Sequence, residues 1–288
     1  MRKLSDNFLE CLKTGFLSPM IETVRSDLDL SLDIRENYIN IYYKGNSLLQ
    51  LSESSGGLYR AQIHPKFLTG IAPPVTFTEE TVPLFLQTIP QLKQNIVGFG
   101  KRSLEIEYEQ LIIRANNLEI HNNTDYFIVD RQYTVADGRF DLLGFCWATK
   151  GRKRYQEVPI SLIEIKFALN SEIQSLHEQV ERYYAAIKPK CAEIADELQT
   201  IFRQKLELGL YQQPQDRLAA MATLKFARTI EQFQFLIILV DYNHNSSLLS
   251  LQNLERLPFA NQIRIFHSGF AMWQQNAKTL SGFLSKEF

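Results

Sequence analysis

The pattern of apolar and polar positions in the first hundred residues predicts a small β-sheet followed by helix. Residues 28–34 and 39–43 carry apolar side chains at every second position, which is the period of a strand with one buried face. Turn-forming glycine, asparagine and serine residues separate these runs, so residues 28–63 are predicted to form an antiparallel meander. Residues 78–99 then follow a helical period. Because Pro90 lies near the middle, we expect two helical pieces there.

The rest of the chain alternates helical and strand periods in the order αβββαβ. The predicted elements are a helix over residues 103–117 with Ser103 as N-cap, strands over 126–134, 139–148 and 157–168, helices over 171–187 and 191–211, a helix opened by Pro214, strands over 232–241 and 262–266, and a terminal helix over 270–283. We therefore predict an α/β protein with an N-terminal β-rich subdomain, residues 1–100, as a substrate-binding or interaction module, and a second domain, residues 101–288.

Charged residues interrupt the apolar strand at residues 162–167 without an evident structural reason. Side chains two apart on a strand share a face, so Glu164 and Lys166 project together, while Ile163, Ile165 and Phe167 fill the other face. A buried charge costs several kcal/mol, roughly, unless it is paired or bound to a metal. The placement of Glu164 and Lys166 in an apolar strand therefore indicates a functional role rather than a role in core packing.

Asp141 is likewise a charged residue in an apolar strand, the one before. Phe140 and Leu142 flank it, and the segment is apolar on both faces. If the two strands are neighbours, Asp141 and Glu164 can converge on one hard cation. The backbone carbonyl of Ile165 and waters would complete an oxygen shell of the kind that Mg²⁺ or Mn²⁺ prefers.

The order Gly138-x-x-Asp141, Glu164-Ile165-Lys166 and Gln179-x-x-x-Tyr183 resembles the PD-(D/E)xK nuclease superfamily, in the variant found in RecB-like and NucS-like nucleases. The resemblance covers residues 100–242. It implies a restriction-endonuclease-like αβββαβ core with a mixed central sheet, and a catalytic set of Asp141, Glu164, Lys166, Gln179 and Tyr183. It also implies a divalent metal, Mg²⁺ or Mn²⁺, and a nucleic-acid substrate, expected to be DNA.

The superfamily carries a further glutamate on the helix that precedes the sheet, and Glu105, Glu107 and Glu109 compete for that role. Glu109 lies between Ile106 and Ile113 on an apolar stripe, where a carboxylate is unusual unless it is used. We favour Glu109 as the additional metal and catalytic carboxylate, with Glu107 as the alternative.

Composition narrows the class of protein without deciding it. The chain has 288 residues, a net charge of −1, three cysteines without metal-ligand spacing and no long apolar run. These features exclude a strongly basic nucleic-acid wrapper, a disulfide scaffold and a membrane-spanning protein, and lead us to expect a cytoplasmic one. Pairing of two copies through the C-terminal helix, which would let two sites cut two strands, is left open.

Basic and aromatic residues outside these motifs have two interpretations each. Residues 150–154 contain four basic side chains that could form one edge of the site or a solvated hairpin tip. Tyrosines in the N-terminal meander could stack bases, although half-buried strand aromatics are favoured. The alternative to a nuclease is a catalytically inactive module with the same fold for nucleic-acid binding or assembly, and a purely structural ion network is the third hypothesis.

Overall fold

The computed structural model shows a mixed α/β protein with two main sheets. It describes residues 1–54, 56–100, 104–135, 138–152, 157–167, 171–243, 246, 251–270 and 272. Among these residues, no helix is both long enough and apolar enough to cross a bilayer.

The first sheet is the antiparallel meander that the alternating pattern predicts, with five strands in chain order. The strands are β1 (Leu30–Ile34), β2 (Tyr38–Tyr43), β3 (Asn46–Glu53), β4 (Tyr59–Gln62) and β5 (Thr76–Phe77). In β2, Ile39 and Ile41 are buried and the residues between them are half-exposed, as a strand with one core face requires. The prediction of an N-terminal β-rich region is confirmed.

Three helices pack with this sheet: α1 (Asp6–Lys13), α2 (Ser18–Ser26) and α3 (Thr81–Phe99). The expected break at Pro90 is wrong, because α3 is continuous through that residue. Pro90 lies on the exposed side of the helix, whereas Phe85, Ile89 and Leu92 are buried. Burial of that apolar face compensates for the backbone hydrogen bond that proline cannot donate.

The second sheet is the mixed central sheet, with strand order β12-β11-β9-β7-β6. Its strands are β6 (Tyr126–Val135), β7 (Gly138–Cys146), β9 (Ile160–Phe167), β11 (Gln234–Val240) and β12 (Ile263–Ser268). Strand β7 runs antiparallel to both of its neighbours, β6 and β9, while β9, β11 and β12 are parallel. A small parallel pair, β8 (Glu157–Val158) with β10 (Lys225–Phe226), lies outside it, because Pro159 separates β8 from β9.

The helices of the second half follow the predicted order. They are α4 (Leu104–Ile113), α5 (Leu176–Ile187), α6 (Cys191–Glu207), α7 (Gln215–Met221) and α8 (Leu251–Glu255). After Ile113 the chain continues as one π-helical turn, Arg114–Leu118, so the regular part of α4 is shorter than expected. The expected N-cap Ser103 and nearly all of the expected terminal helix lie outside the described residues.

The two faces of the central sheet contact different sets of side chains. Leu143, Phe145 and Leu162 belong to the main core with α5 and α6, while Leu142, Ile163 and Ile165 belong to a second cluster against α4. The main core also includes Phe8, Leu49 and other residues of the N-terminal region. The two predicted domains therefore share one continuous core.

Buried charges join the N-terminal sheet to the central sheet at β6. Asp130 of β6 forms ion pairs with Arg2 and Arg35, and Asp33 of β1 pairs with Lys205 of α6 at 2.8 Å. Arg131 lies beside them with its guanidinium 4.3 Å from the centre of the Tyr42 ring. This network of buried charges lies around β6, the edge strand next to the strand that carries Asp141.

Candidate functional site

Asp141 and Glu164 lie together on the face of the central sheet that packs against α5. The register of β7 and β9 pairs Leu142 with Ile163, and its continuation sets Asp141 opposite Glu164. Residues opposite each other in a ladder share a face, so both carboxylates point the same way. The Asp141 Oδ2 atom accepts a hydrogen bond of 2.8 Å from the backbone N–H of Ile165. The expectation that the strands of Asp141 and Glu164 are neighbours is confirmed.

Lys166 and Gln179 hold one oxygen of Glu164. The Lys166 Nζ atom is 2.8 Å from Glu164 Oε1, and the Gln179 amide donates to the same oxygen at 2.7 Å. Glu164 and Lys166 are 6% and 4% exposed, so this pair is buried. The other oxygen, Oε2, is buried with no hydrogen-bond partner among the described residues. An unsatisfied buried carboxylate oxygen is costly in a folded protein and indicates a missing ligand.

Tyr183 of helix α5 holds Gln179 in place beside Glu164 and joins α5 to β7. Its hydroxyl donates to the backbone carbonyl of Arg139 at 2.9 Å and accepts from the Gln179 amide at 2.7 Å. Its ring lies 4.3 Å from the Phe140 ring, and a Cβ atom at Gly138 would approach it to 2.8 Å. Glycine at position 138 therefore lets α5 approach the start of β7. Tyr183 is buried.

We expect Tyr183→Phe to destabilise the fold by about 1 kcal/mol, because it removes the donor to the Arg139 carbonyl and one partner of Gln179. Chemical denaturation would measure this change. Tyr184→Phe is the matched control, since Tyr184 contributes its ring to a stack with Phe259 at 3.9 Å and phenylalanine preserves that contact. A larger loss of stability in the control would contradict the assigned role of the Tyr183 hydroxyl.

The electrostatics of the site favour protonation while no cation is bound. Burial, and next the neighbouring Glu164 carboxylate, raise the pKa of Asp141 to about 8. Burial also raises the pKa of Glu164, although Lys166 and Gln179 oppose that change. Two carboxylates held face to face in this way are the arrangement that a divalent cation relieves.

Three glutamates of α4 lie in three different environments. Glu109 is buried, with Oε2 2.7 Å from Arg131 Nη2, and its charge contributes to the raised pKa of Asp141. Glu107 instead lines a separate surface pocket with Lys44 and Leu104. Placement therefore agrees with the preference for Glu109 over Glu107, while its role as a ligand stays a prediction.

Glu105, which the sequence pattern did not favour as the helix carboxylate, also acts on the site. This exposed side chain lies one helical turn before Glu109 and acts electrostatically on both Asp141 and Glu164. The signal was available, because residues four apart share a helix face and Glu105 repeats the position of Glu109. Glu105 is thus a second helix carboxylate whose charge acts on the site.

The donor set fits a hard cation that retains water. Asp141 and Glu164 offer carboxylate oxygens, one of them unsatisfied, and the Ile165 carbonyl follows Glu164 on β9. Within the described ranges, no group of three or more histidine, cysteine, aspartate or glutamate side chains stands at metal-holding distances. Mg²⁺ and Mn²⁺ are often held by one or two carboxylates with several waters, so a two-carboxylate site is compatible with them.

Two basic side chains after β7, Lys150 and Arg152, do not border this site. They follow the end of β7, whereas Asp141 lies near the beginning of that strand, roughly 20 Å away at ~3.3 Å per residue. Arg152 contacts the carbonyls of Trp147 and Thr124 and lies over the Trp147 ring. Lys153 and Arg154 lie outside the described residues. Of the two interpretations, an edge of the site does not hold for Lys150 and Arg152, because the antiparallel connection leaves from the opposite end of the sheet.

Three tyrosines of the N-terminal sheet have contacts within the fold. Tyr42 lies under the Arg131 guanidinium, and Tyr43 lies under the Lys93 ammonium. Tyr59 is buried against Phe8. These contacts agree with the favoured interpretation of these three rings as half-buried strand aromatics.

A mostly apolar cavity of about 520 Å³ lies on the other face of the central sheet. Its wall includes Ile163, Leu236, Ile238 and Phe266. None of the candidate catalytic side chains lines it. The site on the α5 face is distinct from this cavity.

Comparisons of the chain with models of protein families, with curated proteins and with solved structures gave no match. Function is therefore inferred from the side-chain geometry of the site.

Proposed function

We propose that the protein is a divalent-metal-dependent nuclease that hydrolyses phosphodiester bonds in DNA. The observation that carries the proposal is the grouping of Asp141, Glu164, Lys166 and Gln179 on one face of the sheet, with Glu164 Oε2 left without a partner. A buried carboxylate oxygen without a partner, beside a lysine and a second carboxylate, is a position that a bound cation would fill.

The αβββαβ order of the second half supports a restriction-endonuclease-like core. Helix α4 precedes three antiparallel strands, β6, β7 and β9, and α5 leads back to β11 beside β9. The candidate residues occupy the central strands β7 and β9 and the helix that follows them. This arrangement agrees with the resemblance found in the motifs.

Each side chain has a role in this proposal. Asp141, Glu164 and the Ile165 carbonyl would hold Mg²⁺ or Mn²⁺, with Glu109 or Glu105 contributing through water. The bound metal supplies a Lewis acid that polarises the phosphoryl oxygen and lowers the pKa of a water. Lys166 orients the attacking water and stabilises negative charge on the phosphate. Gln179 and Tyr183 fix the Glu164 carboxylate, so that its open oxygen stays directed into the site.

We expect the purified protein to cleave at least one form of DNA in the presence of Mn²⁺ or Mg²⁺, and to lose that activity when a chelator removes the metal. A panel of duplex, single-stranded and branched DNA, with RNA beside it, would identify the substrate. Lys166→Ala should lower the cleavage rate by a factor of about 10²–10⁴, because a positioned charge acting on the transition state is lost.

Lys190→Ala is the control, since Lys190 is an exposed lysine at the start of α6 and should leave the rate unchanged. Cleavage that persists in the chelator would contradict the metal-dependent mechanism. Metal-independent binding of DNA without cleavage would instead favour the catalytically inactive module.

A further inference from the structure

Gln132 has an unusual backbone next to the candidate site. Its φ angle is +49°, in the left-handed region that non-glycine residues rarely adopt inside a strand. The register of β6 and β7 pairs Arg131 with Leu142 and Tyr133 with Phe140, so Gln132 is the residue opposite Asp141. A β-bulge at Val129 precedes it. Bulges and left-handed residues in strands frequently redirect side chains beside functional sites.

The N-terminal region holds this segment in place. Arg35 Nη2 donates to the Arg131 carbonyl at 3.1 Å, and Arg2 Nη2 donates to the Gln132 carbonyl at 3.3 Å. Both arginines also pair with the buried Asp130 carboxylate, which in turn accepts the Arg131 backbone N–H at 2.9 Å. Strained backbone persists only where its surroundings over-determine it, and these contacts do so.

The strained residue faces a carboxylate of the site. The Gln132 side chain forms a hydrogen bond with the buried Glu109 carboxylate. Arg131 approaches Glu109 from the strand residue just before Gln132, at 2.7 Å. Two consecutive residues of one kinked strand therefore converge on a single buried glutamate of α4.

We propose that Gln132 is a positioning residue that, with Arg131, fixes Glu109 relative to Asp141, and that the N-terminal region serves the site by clamping this kink. The inference rests on the proposed metal-dependent function. It gives residues 2 and 35 a role in the geometry of the site, although neither touches the Asp141–Glu164 pair.

The test is Mn²⁺ affinity, measured by titration calorimetry on the full chain, in Gln132→Gly. Glycine adopts the left-handed backbone without strain, so this variant should keep or raise the melting temperature while losing the amide. Because second-shell partners of metal sites change affinity by about 10- to 100-fold, we expect a loss of that size. Lys44→Gly is the matched control, since Lys44 also has a positive φ, +45°, and lies in an exposed turn; it should be stabilised without losing Mn²⁺ affinity.

A double-mutant cycle separates positioning from a general structural effect. Glu109→Gln keeps the volume of the side chain and removes its charge, and in that background Gln132→Gly should cause no further loss of Mn²⁺ affinity. Wild-type affinity in Gln132→Gly, or an equal loss with and without Glu109, would overturn the positioning role and leave the proposed nuclease intact. Failure of the wild-type protein to bind Mn²⁺ would overturn the proposed function, and the positioning role with it.

Discussion

Asp141→Asn is expected to abolish cleavage and, in the absence of metal, to stabilise the fold. The substitution removes a proposed metal ligand, so the cleavage rate should fall by orders of magnitude. It also removes one of two buried carboxylates that repel each other, and functional residues of this kind are often replaced with a gain in stability. Opposite changes in activity and stability distinguish a metal site from a structural ion network.

The gain in stability should depend on pH in a defined direction. Burial and Glu164 raise the pKa of Asp141 from 3.8 to about 8, so the folded state binds a proton that the unfolded state has released between these values. The free energy of unfolding of the wild-type protein therefore falls as the pH rises through this window, by up to about 1.4 kcal/mol per unit for this group. Asparagine does not titrate, so the variant lacks this contribution.

Thermal melting with and without Mn²⁺ measures both effects. Wild type and Asp141→Asn should melt at similar temperatures near pH 4 and diverge progressively up to pH 8.5, where the variant is more stable by several kcal/mol, roughly. Added Mn²⁺ should raise the melting temperature of the wild type only, because a ligand stabilises the state that binds it. A variant that melts lower than wild type at pH 8.5 in a chelator would show that Asp141 is part of a stabilising network.

Arg35→Met is expected to cause the largest loss of stability, about 3–5 kcal/mol. Arg35 is buried between the two sheets, where it pairs with Asp130 and approaches Asp33 to 3.6 Å. Methionine fills similar space but leaves the Asp130 carboxylate, whose side chain is fully buried, with one fewer partner, and an uncompensated buried charge is costly. The melting temperature should fall by roughly 10 °C.

Arg228→Met is the control for this substitution. Arg228 also pairs with an aspartate, Asp196, at 3.0 Å, but both side chains are more than half exposed. Exposed ion pairs contribute little, so no measurable change in melting temperature is expected. Because the main core is continuous between the two sheets, Arg35→Met should shift one cooperative transition. An unfolding step of the central sheet that keeps its wild-type midpoint would instead show two independent domains.

Local pattern was sufficient to predict most of the elements of this protein. Strand alternation determines that Glu164 and Lys166 share a face and that Ile163 and Ile165 share the other, because side chains alternate in any extended backbone. The helical period after Leu176 likewise placed Gln179 and Tyr183 one turn apart, and the structure joins them by a hydrogen bond. These properties follow from covalent geometry and need no tertiary contact.

Pattern alone gave wrong results where the outcome depends on neighbours distant in sequence. Pro90 does not break its helix, because buried residues on the opposite side hold it together. Lys150 and Arg152 lie far from Asp141, because the antiparallel connection after β7 leaves the sheet at its other end. Neither result can be read from a window of ten or twenty residues.

The sequence by itself determined which residues could form a site, and the tertiary structure decided how they meet. Strand order and register set Asp141 opposite Glu164, and the packing of α5 brings Gln179 to one carboxylate oxygen while the other stays open. The kink at Gln132 and its clamp by Arg2 and Arg35 depend on contacts between residues about a hundred positions apart. The alternation of strand side chains and the helical period are local, so they can be predicted from sequence. Strand register, burial and charge pairing depend on the whole folded chain.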